Sequence, residues 1–485
     1  MDQTQSIREW VYERRTDIIE DIKRLVNIES VALQGSELKP YGMGCRRVLD
    51  EMLKIAGEKG LYTENYDYHL GAASYTSVED HRKDIVGLWG HLDVVSSGTG
   101  WTYPPFEMTQ IGDYLIGRGV QDNKGPVIGL LYALQCLEEM KLPTRYNFKL
   151  YFGCSEESGM QDAEYFVKNY TAPKLSLVAD CGFPVCYGEK GILNMTLTKK
   201  MISNKILAFH GGSSLNSIPH EAEIVLDKAG IDLYKVQALD SCKDLEVYEE
   251  QDRIRVIARG EASHVCNVEK SKNALGILAN SLLISDIIPE ERKLLEVIVS
   301  FSADPYGIAG KLKERGDLIG DLTGGATLLS LTEEGLRITI DYRYPILNKE
   351  GKVRDGEGLI SKINKLGTLA GFEAQVIKHN KPTYSNKDNI VIRSLTKTYE
   401  KVSGFTNEAY TMGGGTYARK LPRAIAYGMA LPGKTTYGEQ PGHGDYHQPD
   451  ESINVNELLE AIVIYVESLL TLNGLDIAVI DLTKD

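Results

Sequence analysis

The spacing of apolar positions changes period along this chain. Residues 5–28 repeat apolar side chains at helical spacing and predict an opening helix. From about residue 85, short apolar runs at 84–90, 147–153 and 175–179 alternate with helical stretches at 126–140 and from about 160. Pro126 falls in the first turn of its helix, where a missing N–H costs nothing. Nearly continuous apolar strands separated by helices predict a mostly parallel sheet with helices on both faces. After about residue 190 the pattern shifts. Residues 240–255 are charge-rich, 272–285 helical, and 336–344 alternate as a half-buried antiparallel strand does. Near 386 the α/β pattern returns, with helices predicted over 389–403 and 454–473. The expected fold class is α/β, with a discontinuous domain of residues 1–190 and 386–485. An inserted α+β domain, residues 191–385, interrupts it. The most apolar stretch, 458–472, carries Glu460 and Glu467 and reads as an amphipathic helix rather than a membrane span.

Composition narrows the class. A chain of 485 residues exceeds one ordinary domain. Hydrophobic residues make up 42% and charged residues 25%, the balance of a soluble globular protein. The net charge of -14 argues against nucleic acid and against an anionic membrane surface as partners. Seven cysteines, odd in number and without zinc-knuckle spacing, read as reduced thiols. The first residues contain no apolar signal-peptide core, so the expected location is cytoplasmic.

Candidate chemistry gathers where the strands end. His91 and Asp93 follow the 84–90 run, Glu156 and Glu157 follow 147–153, and Asp180 follows 175–179. Asp122 sits in the glycine-rich stretch 117–125, and His447 in His447-Gln-Pro-Asp-Glu. Each motif alone has an ordinary structural explanation. Their shared placement does not, because open α/β sheets bind ligands beyond the carboxyl ends of their strands. Zinc takes imidazole nitrogen and carboxylate oxygen, and two-metal sites share a ligand across about 3.5–4 Å. His91, Asp122, Glu157, Asp180 and His447 complete such a set for two Zn²⁺ ions if Asp122 bridges. Manganese or cobalt would satisfy the same donors. Asp93 can accept the second N–H of His91. Glu156 is left to take a proton from the bridging water and deliver it to the leaving nitrogen.

These segments resemble the co-catalytic zinc amidohydrolase and peptidase family that includes aminoacylases, glutamate carboxypeptidases, succinyl-diaminopimelate desuccinylase and dipeptidase V. The matching residues are Gly90-His91-Leu92-Asp93-Val94-Val95, Gly117 to Gly125 around Asp122, Glu156-Glu157-Ser158-Gly159, Asp180, and His447 to Glu451. The resemblance implies one metal on His91, Asp122 and Asp180 and another on Asp122, Glu157 and His447. It makes Glu156 the general base and Asp93 the residue that orients His91. The size of the insertion is similar to that of the dipeptidase V branch, where an enlarged lid closes the site within one subunit; a monomer is implied. Within that lid, His264 matches the histidine that stabilises the oxyanion, and Asn216 a lid asparagine at the site. Arg343 in 341–345, and Gly413, Gly414, Gly415 and Thr416 in 413–419, match segments that hold the substrate's carboxylate. His264 is followed by Val-Cys-Asn, which departs from the family's small-residue and proline pattern. Of two nearby histidines, His447 rather than His443 has Asp450-Glu451 at the family spacing. The implied activity is hydrolysis of unblocked dipeptides. Deacylation of N-acyl amino acids would use the same chemistry. A non-catalytic peptide binder would tolerate loss of Glu156 or a ligand, and none is lost.

Overall fold

The computed structural model describes residues 2–75, 84–239, 242–316, 320–438, 440 and 442–484. The apolar runs pair as the pattern requires. Asn147–Gly153, Ile85–His91, Leu175–Val178 and Ala424–Tyr427 lie side by side and parallel. Leu70–Ser74 and Tyr62–Tyr66 extend this sheet antiparallel at one side, and Val185–Glu189 at the other. His91 pairs in register with Gly153, and Trp89 with Val178. Three strands therefore end level, and the polar residues that follow them share one edge.

Helices cover this sheet. Lys124–Glu139 and Gly42–Glu58 pack directly on its strands. The opening helix is two, Gln3–Glu13 and Arg15–Val26. The break is at Arg14, whose guanidinium stacks on Trp10 and bonds the Trp10 carbonyl and Glu139. The break lets the first piece pack on Val455–Leu472 and the second on Lys124–Glu139. Val455–Leu472 is not the amphipathic helix its glutamates suggested. Its apolar residues surround the axis and are buried nearly all round, as a central helix requires. Buried Glu467 accepts the Thr4 hydroxyl, and Glu460 takes Arg8 from its partly exposed face. Asn454 and Asn389 cap their helices by accepting amides two residues on.

The chain forms two compact units, residues 1–188, 385–410 and 415–485, and residues 189–384 with Thr411–Gly414. The second is an antiparallel eight-stranded sheet. Its order is Leu245–Glu249, Arg253–Arg259, Glu221–Asp227, Ile206–Gly211, Thr323–Thr332, Gly335–Tyr344, Gly191–Lys199, Glu373–Asn380. Ala274–Ser285 and Arg292–Ser302 close an apolar core against it. Of the charge-rich stretch, Asp240 and Ser241 lie outside the described residues, and Leu245–Glu249 pairs with Arg253–Arg259 as a hairpin. No helix among the described residues is long and apolar enough to cross a membrane.

Candidate metal centre

The level strand ends bring distant residues within bonding range. His91 Nε2 lies 2.9 Å from Asp122 Oδ1 and 3.8 Å from Asp180 Oδ1. His447 Nε2 lies 2.9 Å from Glu157 Oε1 and 3.2 Å from Asp122 Oδ2. Asp122 thus turns one oxygen toward each imidazole, and each histidine faces a further carboxylate. His447 arrives from a loop whose exit strand, Ser452–Asn454, pairs antiparallel with Tyr114–Ile116, just ahead of the Asp122 loop. His443 pairs with Asp450 at 2.9 Å.

Glu156 sits among these groups without sharing their bonds. Its donor atoms fall within 4.8 Å of those of His91 and Asp180, so distance alone does not separate it from a ligand. Its partners do. Asp122, Glu157 and Asp180 each face a histidine, whereas the buried Oε1 of Glu156 has no hydrogen-bond partner among the described residues.

Electrostatics agree with a cluster built around positive charge. Burial and then the Asp180 charge push the Glu156 carboxyl well above its usual range, against the pull of His91. Burial and Asp122 raise Glu157 and Asp180 as well. Burial also opposes ionisation of Asp122, but bonds from His447 and His91 outweigh it and hold Asp122 well below the carboxylate range. Burial disfavours charged imidazoles, yet Asp122 and Glu157 raise His447 to about 11. Mutually repelling oxygens, with two imidazoles drawn toward their charged forms, are the donor set that divalent cations satisfy.

The backbone of the centre is held by buried polar groups behind the donors. Asn123 Oδ1 accepts the His91 N–H at 3.1 Å. Its amide nitrogen donates to the Ala179 carbonyl at 2.7 Å and to Asp180 Oδ1 at 3.2 Å. Glu451, fully buried, accepts the N–H groups of Gly119, Gln121 and Asp122 at 3.0, 3.0 and 3.1 Å, and pairs with buried Arg118 at 2.7 Å. Its only sequence signal was its spacing from His447. Asp93 works differently from the expectation. His91 Nδ1 is 2.9 Å from the Asp93 carbonyl oxygen and 3.5 Å from its carboxylate. The carboxylate instead accepts the N–H groups of Glu156 and Glu157, because the turn after Gly153 aims both amides at it.

In the second unit, Ser217 pairs with His264 in a two-stranded ladder, which brings Asn216 beside the His264 segment. His264 Nδ1 accepts the Cys266 amide at 3.2 Å, so a neutral ring carries its proton on Nε2. Arg343 is buried, and its Nε and Nη2 are already bidentate on Asp341 at 3.0 and 2.9 Å. Its Nη1 faces the Gly413 carbonyl at 3.5 Å. A Cβ on Gly413 would lie 3.1 Å from Cys266 Cβ and Sγ, a tight contact that Cys266 would have to yield to by a few tenths of an ångström. Gly414 belongs to the same unit; Gly415 and Thr416 belong to the first. There a Cβ on Gly415 would meet the Arg419 guanidinium, and Thr416 caps the short helix Tyr417–Arg419.

The model of peptidase family M20/M25/M40 matches residues 87–471. The chain belongs to that family. Among M20/M25/M40 relatives, the "Putative dipeptidase YtjP" of Bacillus subtilis (strain 168) is 27% identical over 477 residues, 95% of this chain and 98% of that one. Human carnosine dipeptidase 1 has a similar fold, with TM-score 0.58, 14% identity, and coverage of 98% and 100%. So does the M20 family metallo-carboxypeptidase Sso-CP2 of Sulfolobus solfataricus, with TM-score 0.56, 16% identity, and coverage of 95% and 100%.

Proposed function

We propose that this M20/M25/M40 peptidase is a dinuclear zinc dipeptidase that hydrolyses unblocked dipeptides. The observation that carries the reading is the split of Asp122 between two histidines beside buried Glu156, whose Oε1 has no hydrogen-bond partner among the described residues. His91, Asp122 and Asp180 would hold one ion, and Asp122, Glu157 and His447 the other. When bound, the ions supply Lewis-acid polarisation and make a water acidic near neutral pH. Glu156 takes the proton of the attacking water and releases it to the leaving nitrogen.

Asp341 occupies the Nε–Nη2 edge of Arg343, which leaves the Nη1–Nη2 edge for the substrate's carboxylate. Nε2–H of His264 donates to the developing oxyanion. Asn216 and the 413–416 glycine run with Thr416 add polar contacts to the bound peptide. The enzyme acts as a cytoplasmic monomer on small peptides.

Glu156→Ala should abolish turnover and keep two metals bound, whereas Glu157→Gln should lower the bound metal toward one ion per chain. Metal analysis beside a peptidase assay reads both, and turnover in Glu156→Ala would sink the mechanism. A panel of dipeptides against N-acetyl and N-succinyl amino acids tests the substrate class. Preference for the acylated compounds would replace dipeptidase with deacylase.

A further inference from the structure

Two buried carboxylates hold four consecutive amides around the paired glutamates. Asp93 Oδ1 and Oδ2 accept the N–H groups of Glu156 and Glu157, at 3.1 and 3.0 Å. Asp162 Oδ2 accepts those of Cys154 and Ser155, at 2.7 and 2.8 Å. The same oxygen accepts the Tyr417 hydroxyl at 2.5 Å. Tyr417 comes from a segment 255 positions away in sequence. Its ring stands edge-on to Trp89 at 6.0 Å and to His91 at 6.4 Å.

The arrangement is held against the cost of burial. Asp162 and Tyr417 are each 1% exposed. Burial and the Asp93 charge raise the Asp162 carboxyl to about 6, although Tyr417 and the amides pull it down. A carboxylate is kept buried only where hydrogen bonds satisfy it, and four donors do so here: Cys154, Ser155 and Ala163 N–H and the Tyr417 hydroxyl. Gly153 is shaped to admit it. A Cβ there would lie 2.0 Å from the Tyr417 hydroxyl and 2.3 Å from Asp162 Oδ2.

We infer that Asp162 and Tyr417 are positioning residues for Glu156, fixing the 154–155 backbone from which its carboxylate projects. Neither touches the reacting atoms. Asp93 holds the second half of the segment, so the glutamate turn is pinned from both ends. The inference rests on Glu156 as the proton carrier. Proton transfer is sensitive to displacements well below 1 Å, so a loosened turn loses rate before it loses binding.

Tyr417→Phe removes one donor and keeps the ring packing. It should lower kcat about 10-fold, with KM and bound metal little changed. Asp162→Asn replaces an acceptor oxygen by a donor facing amides and should lower kcat about 100-fold. If Asp162→Asn does not fold, Tyr417→Phe alone decides. An undiminished kcat in Tyr417→Phe overturns the inference. So does a fall in kcat matched by an equal loss of folded, metal-loaded protein, because that marks a structural role only. Glu156→Gln is assayed in parallel. An active Glu156→Gln removes the base on which the inference rests. An inactive Glu156→Gln beside a fully active Tyr417→Phe overturns the positioning role alone.

Discussion

Gly90 is the smallest residue at the centre and constrains it closely. A Cβ there would lie 2.5 Å from Asn123 Oδ1 and 2.6 Å from Val127. Asn123 needs that gap to reach the His91 amide and still bond Asp180. Gly90→Ala should therefore leave the fold intact and weaken metal binding about 10–100-fold, the usual cost of disturbing groups behind metal ligands. Competition with a chelating dye measures it, and wild-type affinity in the variant would remove Asn123 from its supporting role. The donors themselves were legible in the sequence, because imidazoles and carboxylates advertise their chemistry. Asn123 was not, since its partner carbonyl lies 56 positions away and only folding brings it near. Asp93 was legible as important but not in its action. Two amides claim its carboxylate, and the histidine is met by the carbonyl instead.

Among elements, the sheet was the most readable part. The Asn147–Gly153 strand has the limits its apolar run predicts, because all seven of its residues are buried. The split near Arg14 was hidden, because it depends on a stacking partner and a glutamate 125 positions away. The loop at 117–122 shows the same dependence on distant chain. Glu451 gathers three of its amides and the Arg118 guanidinium, with both side chains at most 1% exposed. Removing one partner of such a pair leaves a buried charge uncompensated. Glu451→Ala should cost about 3–5 kcal/mol of stability. Denaturant unfolding with chelator in excess isolates this cost from metal loss. A midpoint close to wild type would mean that the loop stands without the glutamate.

At the scale of the whole molecule, the centre couples metal, protons and stability. Burial opposes a charged His447, but Asp122 and Glu157 raise it to about 11. In metal-free protein its protonated form contributes stability that is fully present below the unfolded histidine value of about 6.5 and is lost as pH rises toward 11. Glu156, Glu157 and Asp180, all raised by burial and neighbouring charge, act in the same direction from about pH 4 upward. Asp122, held low, titrates below this window and adds no slope. Metal binding has the opposite dependence, because it requires deprotonated imidazole and carboxylate and strengthens as protons leave. A ligand bound only by the folded state at 100 times its Kd adds about 2.7 kcal/mol. The stability lost to a chelator should therefore widen with pH, from small near about pH 6 to large near about pH 8.5. Thermal midpoints with and without chelator at the two values test this. A gap that stays constant or narrows would mean that these residues do not share their protons with a metal.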